Sequence, residues 1–478
     1  MRNKILFVPL DDRPCNLDFP ISLAKNVGFD VLVPEKRLLG NYQNSGDTKE
    51  INSWIKNNVD SADIFILSSD MICFGGLFAS RKPDTSLDQA FDSLKVIQFI
   101  KEKNPNAKIF LHSVLMRLSV SVASEKDERI WKQLFDFFGG QTHIDSSNQI
   151  DQKIIEKFLS IRKRNLQVNL KCLEYVKNNF CDFVVVSKED CAFGGIQKEE
   201  VSVLSDYINS NNLTERAKIL TGADEIAACL ITRNYLEYIS KKPILAVRYS
   251  FGNGRQISLY EDTNLDKTIQ EHLDLVGAER VNLLKDTRTV FFVHSFFDRQ
   301  RDLFFEEKIE FSSDERHRLK NFCSEIVMMH EIEKECFVAD VFYCNGGDSD
   351  FMKYFLEMGD PKRLLSYAGW NTSSNAIGAA ISSAICGAGQ SQLFKNFVED
   401  IGYQSIVRPQ LIDYLNKNNF SKYDFSNFLP NAEQFTEEKI NMWGKDFFQK
   451  LGFGNPPRIK IRFPWKRIFE IDCDIIFS

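Results

Sequence analysis

Eight short runs of apolar, often β-branched residues recur along the first 300 positions, most of them followed by a segment long enough for a helix. They are ILFVPL (5–10), DVLVP (30–34), DIFILS (63–68), KIFLHS (108–113), DFVVVS (182–187), KILTG (218–222), ILAVRY (244–249) and TVFFVHS (289–295). Between them lie amphipathic stretches such as TKEINSWIKNNV and SLDQAFDSLKVIQFIKEK. Continuous apolar strands separated by helices predict a parallel sheet covered on both faces, because a sheet with one wet face would alternate instead. Eight units suit a (β/α)8 barrel, as in a TIM barrel; two open doubly wound sheets give the same string, and the count favours the barrel.

From about residue 300 the texture changes to a charged helical stretch, SSDERHRLKNFCSEIVMMHEIEKE, then FVADVFY, NGGDSD and a small-residue helix after YAGWNTSSN. The end, PPRIKIRFPWKRIFEIDCDI, alternates like strands with turns. This reading gives an α/β barrel-like catalytic domain over 1–300. A C-terminal α/β domain or barrel appendage over 301–478 would contribute to the cleft.

Of the 478 residues, 43% are hydrophobic and 26% charged, which supplies a sizeable core and excludes extended disorder. The net charge is −6 and Lys and Arg form no basic block, which argues against nucleic acid as a partner. The eleven Cys include no CxxC pair, so reduced thiols are expected rather than disulfides or structural zinc. The N-terminal apolar run is too short for a signal peptide, and no stretch approaches the roughly 18 apolar residues of a membrane span. The expectation is a soluble, cytoplasmic protein with no membrane partner.

Polar residues gather at the predicted C-terminal ends of strands, where parallel sheets bind ligands. They are Asp11, Asp12 and Arg13 after the first run, Asp70 after the third and Arg117 after the fourth. Glu189 and Asp190 follow the fifth, Asp224 and Glu225 the sixth, and Arg248 ends the seventh. Any one of these acids also suits a helix N-terminus. SSDMICFGG (68–76) and KEDCAFGG (188–195) each run from an acid to Phe-Gly-Gly, whose glycines permit a tight turn or close backbone approach. Asn345 and Asp348 in NGGDSD, and Trp370 and Asn371 in GWNTSSN, are candidates to line the same cleft, with Tyr367 and Trp465 as further aromatic surfaces.

Other templates are absent. The six His form no HExxH or His-x-His, only His112 and His294 fall at strand ends, and no GxSxG elbow occurs. Cys73 and Cys191 lie beside acids, which disfavours a thiolate.

Over nearly its whole length the chain resembles an uncharacterised bacterial family known as a domain of unknown function, number 4127. The resemblance is carried by VPLDDRPCN, SSDMICFGGLFASR, RNLQVN, EDCAFGG, TGADE, ADVFYCNGGD, YAGWNTSSNAIG, YQSIVRP and PWKRIFE. Glu189 departs from that pattern, which leads one to expect Asp. More locally, TGADEIA is similar to the Gly-Gly-Asp-Glu turn of retaining β-N-acetylhexosaminidases with (β/α)8 barrels, with Ala223 in place of the second Gly. That resemblance implies Glu225 as general acid/base and Asp224 as partner of the substrate's acetamido group.

The expected function is therefore hydrolysis of a glycoside of an N-acetylated amino sugar, a small carbohydrate substrate, with no cofactor. One alternative is a hydrolase holding Mg or Mn through Asp11, Asp12, Asp70, Glu189 and Asp190. The other is a sugar- or metabolite-binding protein without catalysis. The oligomeric state is not legible in the sequence.

Overall fold

The structure, a computed structural model, describes residues 4–139 and 150–477; His143 lies outside them. The chain divides into two compact units, Met1–Ile231 with Tyr260–Asp262, and Thr232–Leu259 with Thr263–Ser478. The division falls after Ile231, well before the change of texture at residue 300.

In the first unit the strands are β1 (Lys4–Val8), β2 (Asp30–Leu32), β3 (Ile64–Ser68), β4 (Lys108–Leu115), β5 (Phe183–Lys188) and β6 (Ala217–Thr221). They form one parallel sheet in the order β2-β1-β3-β4-β5-β6. All six residues of β5, FVVVSK, are buried, as expected of a strand covered on both faces. The covering helices begin where the sequence supplies caps. Asp47 accepts from the N–H groups of Lys49 and Glu50 to start Thr48–Asn57, and Ser86 with Gln89 forms a capping box for Leu87–Lys103.

The second unit holds β7 (Ile244–Tyr249), β8 (Glu279–Val281), β9 (Thr289–His294), β10 (Arg301–Asp302), β11 (Glu335–Asp340), β12 (Tyr343–Cys344), β13 (Tyr367–Ala368), β14 (Arg458–Arg462) and β15 (Asp472–Ile476). Five of these make a second parallel sheet in the order β13-β11-β9-β7-β8. The pair β14–β15 is antiparallel, and its strands form in the C-terminal stretch expected to alternate as strands with turns. Helices Gly389–Asn396, Arg408–Lys417 and Leu429–Lys450, with a π-helical segment Phe397–Val407, complete the unit. They pack a core rich in phenylalanine, including Phe394, Phe397, Phe447 and Phe448.

The eight expected strands all form, but they do not close a barrel. Six lie in one open sheet, and β7 and β9 belong to another. Both sheets wind alike: a first strand, a step outward to a short edge strand, then a return to the other side of the first. Each therefore reverses direction once, between β1 and β3 in one unit and between β7 and β9 in the other. In such sheets the crevice for a ligand lies outside the C-terminal strand ends at that reversal.

Candidate functional site

In the first unit, the turns after β1, β3, β4, β5 and β6 bring nine of the expected residues to one edge of the sheet. Arg13 lies between two carboxylates. Its Nη2 donates to Asp11 Oδ2 at 2.7 Å and to Asp224 Oδ1 at 2.6 Å, while Nη1 reaches Asp224 Oδ2 at 3.1 Å. Asn16 Nδ2 donates to the same two acids, to Asp11 at 3.0 Å and Asp224 at 2.9 Å. The group is sealed from water, with Arg13 4% and Asp224 6% exposed. Burial works against the Arg13 charge, yet Asp11 and Asp224 carry its pKa well above the ordinary value. The turns after β1 and β6, four strand positions apart, are thereby tied together.

A second set surrounds β5. Arg81 pairs with Glu189, and Arg117 pairs with Asp190 and lies 3.9 Å from Glu189. Burial pushes the Asp190 carboxyl up to about 6; Arg117 opposes this, and Glu189 and Asp224 reinforce it. Asp190 also adopts a left-handed backbone conformation, with φ of 33°, a strain that functional sites tolerate. Burial likewise raises the Asp70 carboxyl to about 6, against a hydrogen bond from the Val114 N–H at 2.9 Å and with help from Glu189. Glu189 Oε2, Arg81 Nε and Arg117 Nε are buried and have no hydrogen-bond partner among the described residues, so part of the polar capacity at this edge is unspent. Asp12 is buried, with Asn41 Nδ2 3.4 Å from its Oδ2.

The opening turn of TGADE is tighter than a pair of diverging acids. Glu225 Oε2 accepts from the Ala223 N–H at 3.0 Å, so its carboxylate folds back over its own turn. A Cβ on Gly222 would come 1.7 Å from Glu225 Oε1, and φ there is +124°, which is why glycine precedes Ala-Asp-Glu. The Phe-Gly-Gly turn after β3 has a similar explanation. A Cβ on Gly75 would meet the Gly46 backbone at 2.5 Å, so the close approach is between two chain segments.

The carboxylates proposed as Mg or Mn ligands are engaged otherwise. Asp11, Glu189 and Asp190 face arginines, and among the described residues no group of three or more His, Cys, Asp or Glu is disposed to hold a metal ion. Sequence reasoning missed Asn16, Arg81, and the Lys188–Asp262 ion pair that accompanies Glu189. Lys188 ends β5 and opens KED, beside the acids that were singled out, whereas Arg81 closes the SSDMICFGGLFASR stretch away from any apolar-to-polar switch that marks a strand end.

Five expected residues belong to the second unit. Arg248 is inside β7, not beyond it, and pairs with Glu325 of helix Ser313–Glu331 at 3.3 Å, so it does not join a strand-end group. Asn345 and Asn371 take left-handed backbone conformations, with φ of 61° and 69°, and the Asn345 N–H donates to Asn371 O at 2.9 Å. Asn345 Nδ2 donates to Asp302 at 2.8 Å. Asp348 accepts from His294 at 3.0 Å. Trp370 is half-buried, edge-on to Phe469 with ring centres 5.7 Å apart. Trp465 is buried under Arg467.

Around these lie acids the sequence did not single out. Asp340 Oδ2 accepts from the Tyr367 hydroxyl at 2.8 Å and the Asp348 N–H at 2.7 Å, and burial lifts its carboxyl to about 6. Asp400, on the π-helical segment, accepts from the Gly369 N–H at 2.7 Å, and burial lifts it to about 8. Of the two histidines expected at strand ends, His294 is there; His112 is inside β4, bound to Ser187 at 2.8 Å, its pKa lowered by burial to about 3. Burial raises the Cys73 and Cys191 thiols well above their usual range, in keeping with non-nucleophilic cysteines. No helix among the described residues is long and apolar enough to cross a membrane.

No curated protein matches the chain. The arrangement at the strand ends is nonetheless built from the segments that carry its family resemblance, VPLDDRPCN, SSDMICFGGLFASR, EDCAFGG and TGADE. A family match spans residues 5–474, and the chain belongs to the family described as "Protein of unknown function (DUF4127)".

Proposed function

We propose that the first unit is a glycoside hydrolase acting on an N-acetylated amino sugar through paired carboxyl groups. The observation that carries this reading is Asp190, a half-buried carboxyl lifted to about 6 between Glu189, Asp224 and Arg117. A group that keeps its proton close to neutral pH suits protonation of a glycosidic oxygen, while a neighbouring carboxylate stabilises the positive centre left behind. Arg13 and Asn16 fix Asp224, the residue that the hexosaminidase-like turn assigns to the acetamido group. Glu225, bound to the Ala223 N–H, is better suited to shaping that turn than to donating a proton. Asp190 takes the acid's role in this proposal. The unspent polar atoms of Glu189, Arg81 and Arg117 supply donors and an acceptor for sugar hydroxyls.

Purified protein should release the aryl group from aryl N-acetylhexosaminides or cleave muropeptide fragments. Asp190→Asn should lower kcat by about 10²- to 10⁴-fold and remove the limb of the pH–rate profile near pH 6. A larger loss in Glu225→Gln than in Asp190→Asn would return the acid's role to Glu225. Binding of these sugars without turnover would favour a binding protein, and inertness toward both substrates would end the glycosidase reading.

A further inference from the structure

The second sheet reverses its winding between β7 and β9, and this reversal carries its own polar group. Ser250 directly follows β7, and His294 ends β9. Ser250 Oγ is 2.9 Å from His294 Nδ1, and His294 Nε2 is 3.0 Å from Asp348 Oδ2. Asp348 is fixed in turn: its other oxygen accepts from the Asp350 N–H at 3.0 Å, and its own N–H donates to Asp340 at 2.7 Å. Phe342 stacks on the imidazole with ring centres 5.0 Å apart, and Phe251, Phe322 and Phe351 stand within 6.1 Å. Those rings hold the imidazole plane and leave its two nitrogens for polar contact.

With Nε2–H donated to the carboxylate, Nδ1 carries the lone pair that faces the serine hydroxyl. The Ser295 N–H donates to Ser250 Oγ at 2.9 Å, and Ser295 O, at 3.1 Å, competes with His294 for its proton. A core histidine satisfied by two neighbours would make similar bonds. The gradient of burial separates the two readings: His294 and Asp348 are sealed, while Ser250 is only half-buried, so the relay opens at its serine.

We propose that Ser250, His294 and Asp348 form a serine-nucleophile site for carboxylic esters, separate from the glycosidase reading of the first unit. Such relays are recognised by geometry and role, so the missing GxSxG elbow does not argue against one. Ser250 Oγ attacks the ester carbonyl carbon as its proton passes to His294 Nδ1. Collapse breaks the carbon–oxygen bond to the alcohol, which takes that proton and leaves the acyl group on Ser250. Water then attacks the acyl carbon, gives a proton to His294, and the acid departs as the proton returns to Oγ.

The full chain is treated with a fluorophosphonate probe and the adduct mapped by peptide mass spectrometry, with hydrolysis of p-nitrophenyl acetate followed in parallel. The expected result is an adduct on Ser250 and ester turnover that Ser250→Ala abolishes. Asp348→Asn should slow both by about 10³- to 10⁴-fold, the effect of losing the orienting carboxylate in a working triad. Absence of an adduct at Ser250 in the unaltered protein would overturn the proposal without any variant having to fold. So would equal labelling rates in the unaltered chain and Asp348→Asn.

Discussion

The two units wind their sheets in the same order and collect polar residues at the same edge, yet Asp11 and Asp224 in the first are held quite differently from Asp340 and Asp400 in the second. In the first unit Arg13 joins Asp11 and Asp224 and Arg81 holds Glu189, while Asp190, although paired with Arg117, is lifted by burial to about 6. In the second, Asp340 and Asp400 accept from neutral donors, the Tyr367 hydroxyl and the Asp348 and Gly369 N–H groups, and burial lifts them to about 6 and about 8. Topology decides where polar side chains gather, because strand ends are where a covered parallel sheet opens. The residues in the turns decide whether those side chains are ion-paired or protonated, and so which chemistry is within reach.

That contrast can be broken most forcefully at Arg13. Arg13→Met strands two buried carboxylates and should cost about 3–5 kcal/mol in denaturant unfolding. Arg13→Lys should recover only part of this, since an ammonium lacks the fork that serves both acids. A loss below about 1 kcal/mol would mean that the pairing is not what holds this edge.

In the second unit the sign should reverse. A carboxyl whose folded pKa lies near 8 contributes its full stability only at low pH, and loses it progressively between about pH 4 and pH 8. Asp400→Asn cannot ionise, so it should match the parent near pH 4 and exceed it by about 5 kcal/mol at pH 8. Thermal unfolding across that range checks this, and a variant less stable at pH 8 than its parent would contradict it. The smallest effect is expected at Asp70, whose carboxyl titrates near 6 although it lies among the arginine-paired acids. Asp70→Asn keeps an acceptor for the Val114 N–H, and should gain about 1–2 kcal/mol over its parent between pH 4 and pH 6, with no further gain above. A flat difference across that window would place Asp70 with its ion-paired neighbours.

Much of the architecture was legible because strand and helix signals are local. All eight early strand runs form, ILAVRY with its expected bounds, since continuous apolar β-branched segments suit a strand buried on both faces. Glu279–Val281 escaped because a three-residue edge strand carries too few apolar residues to register a period. The strand-end acids were found for the same local reason, an apolar run breaking into charge. Asn16, Arg81 and Asp400 were not, because each gains its place through a partner distant in the chain or through a helix face with no polar signature; Asp340 ends β11 and carried the same local signal, but apolar residues resume directly after it in FVADVFY. Arg248 misled in the opposite way: a charge at the end of an apolar run, turned toward Glu325 on a covering helix.

The sequence by itself determined the strands, the helices with their caps, the parallel class of the sheets and the family of the chain. Each of these is written in residues near one another or in segments long enough to match as a unit. Tertiary structure alone decided that the strands form two open sheets instead of a barrel, because closure depends on which edges pair, and a period-two pattern carries no record of that. It also decided the state of the strand-end groups. Asp224 bridges to Arg13 across more than 200 positions, and Ser250, His294 and Asp348 meet from three separate segments of the chain. A proton's position on any of them follows from burial and from neighbours that only folding supplies.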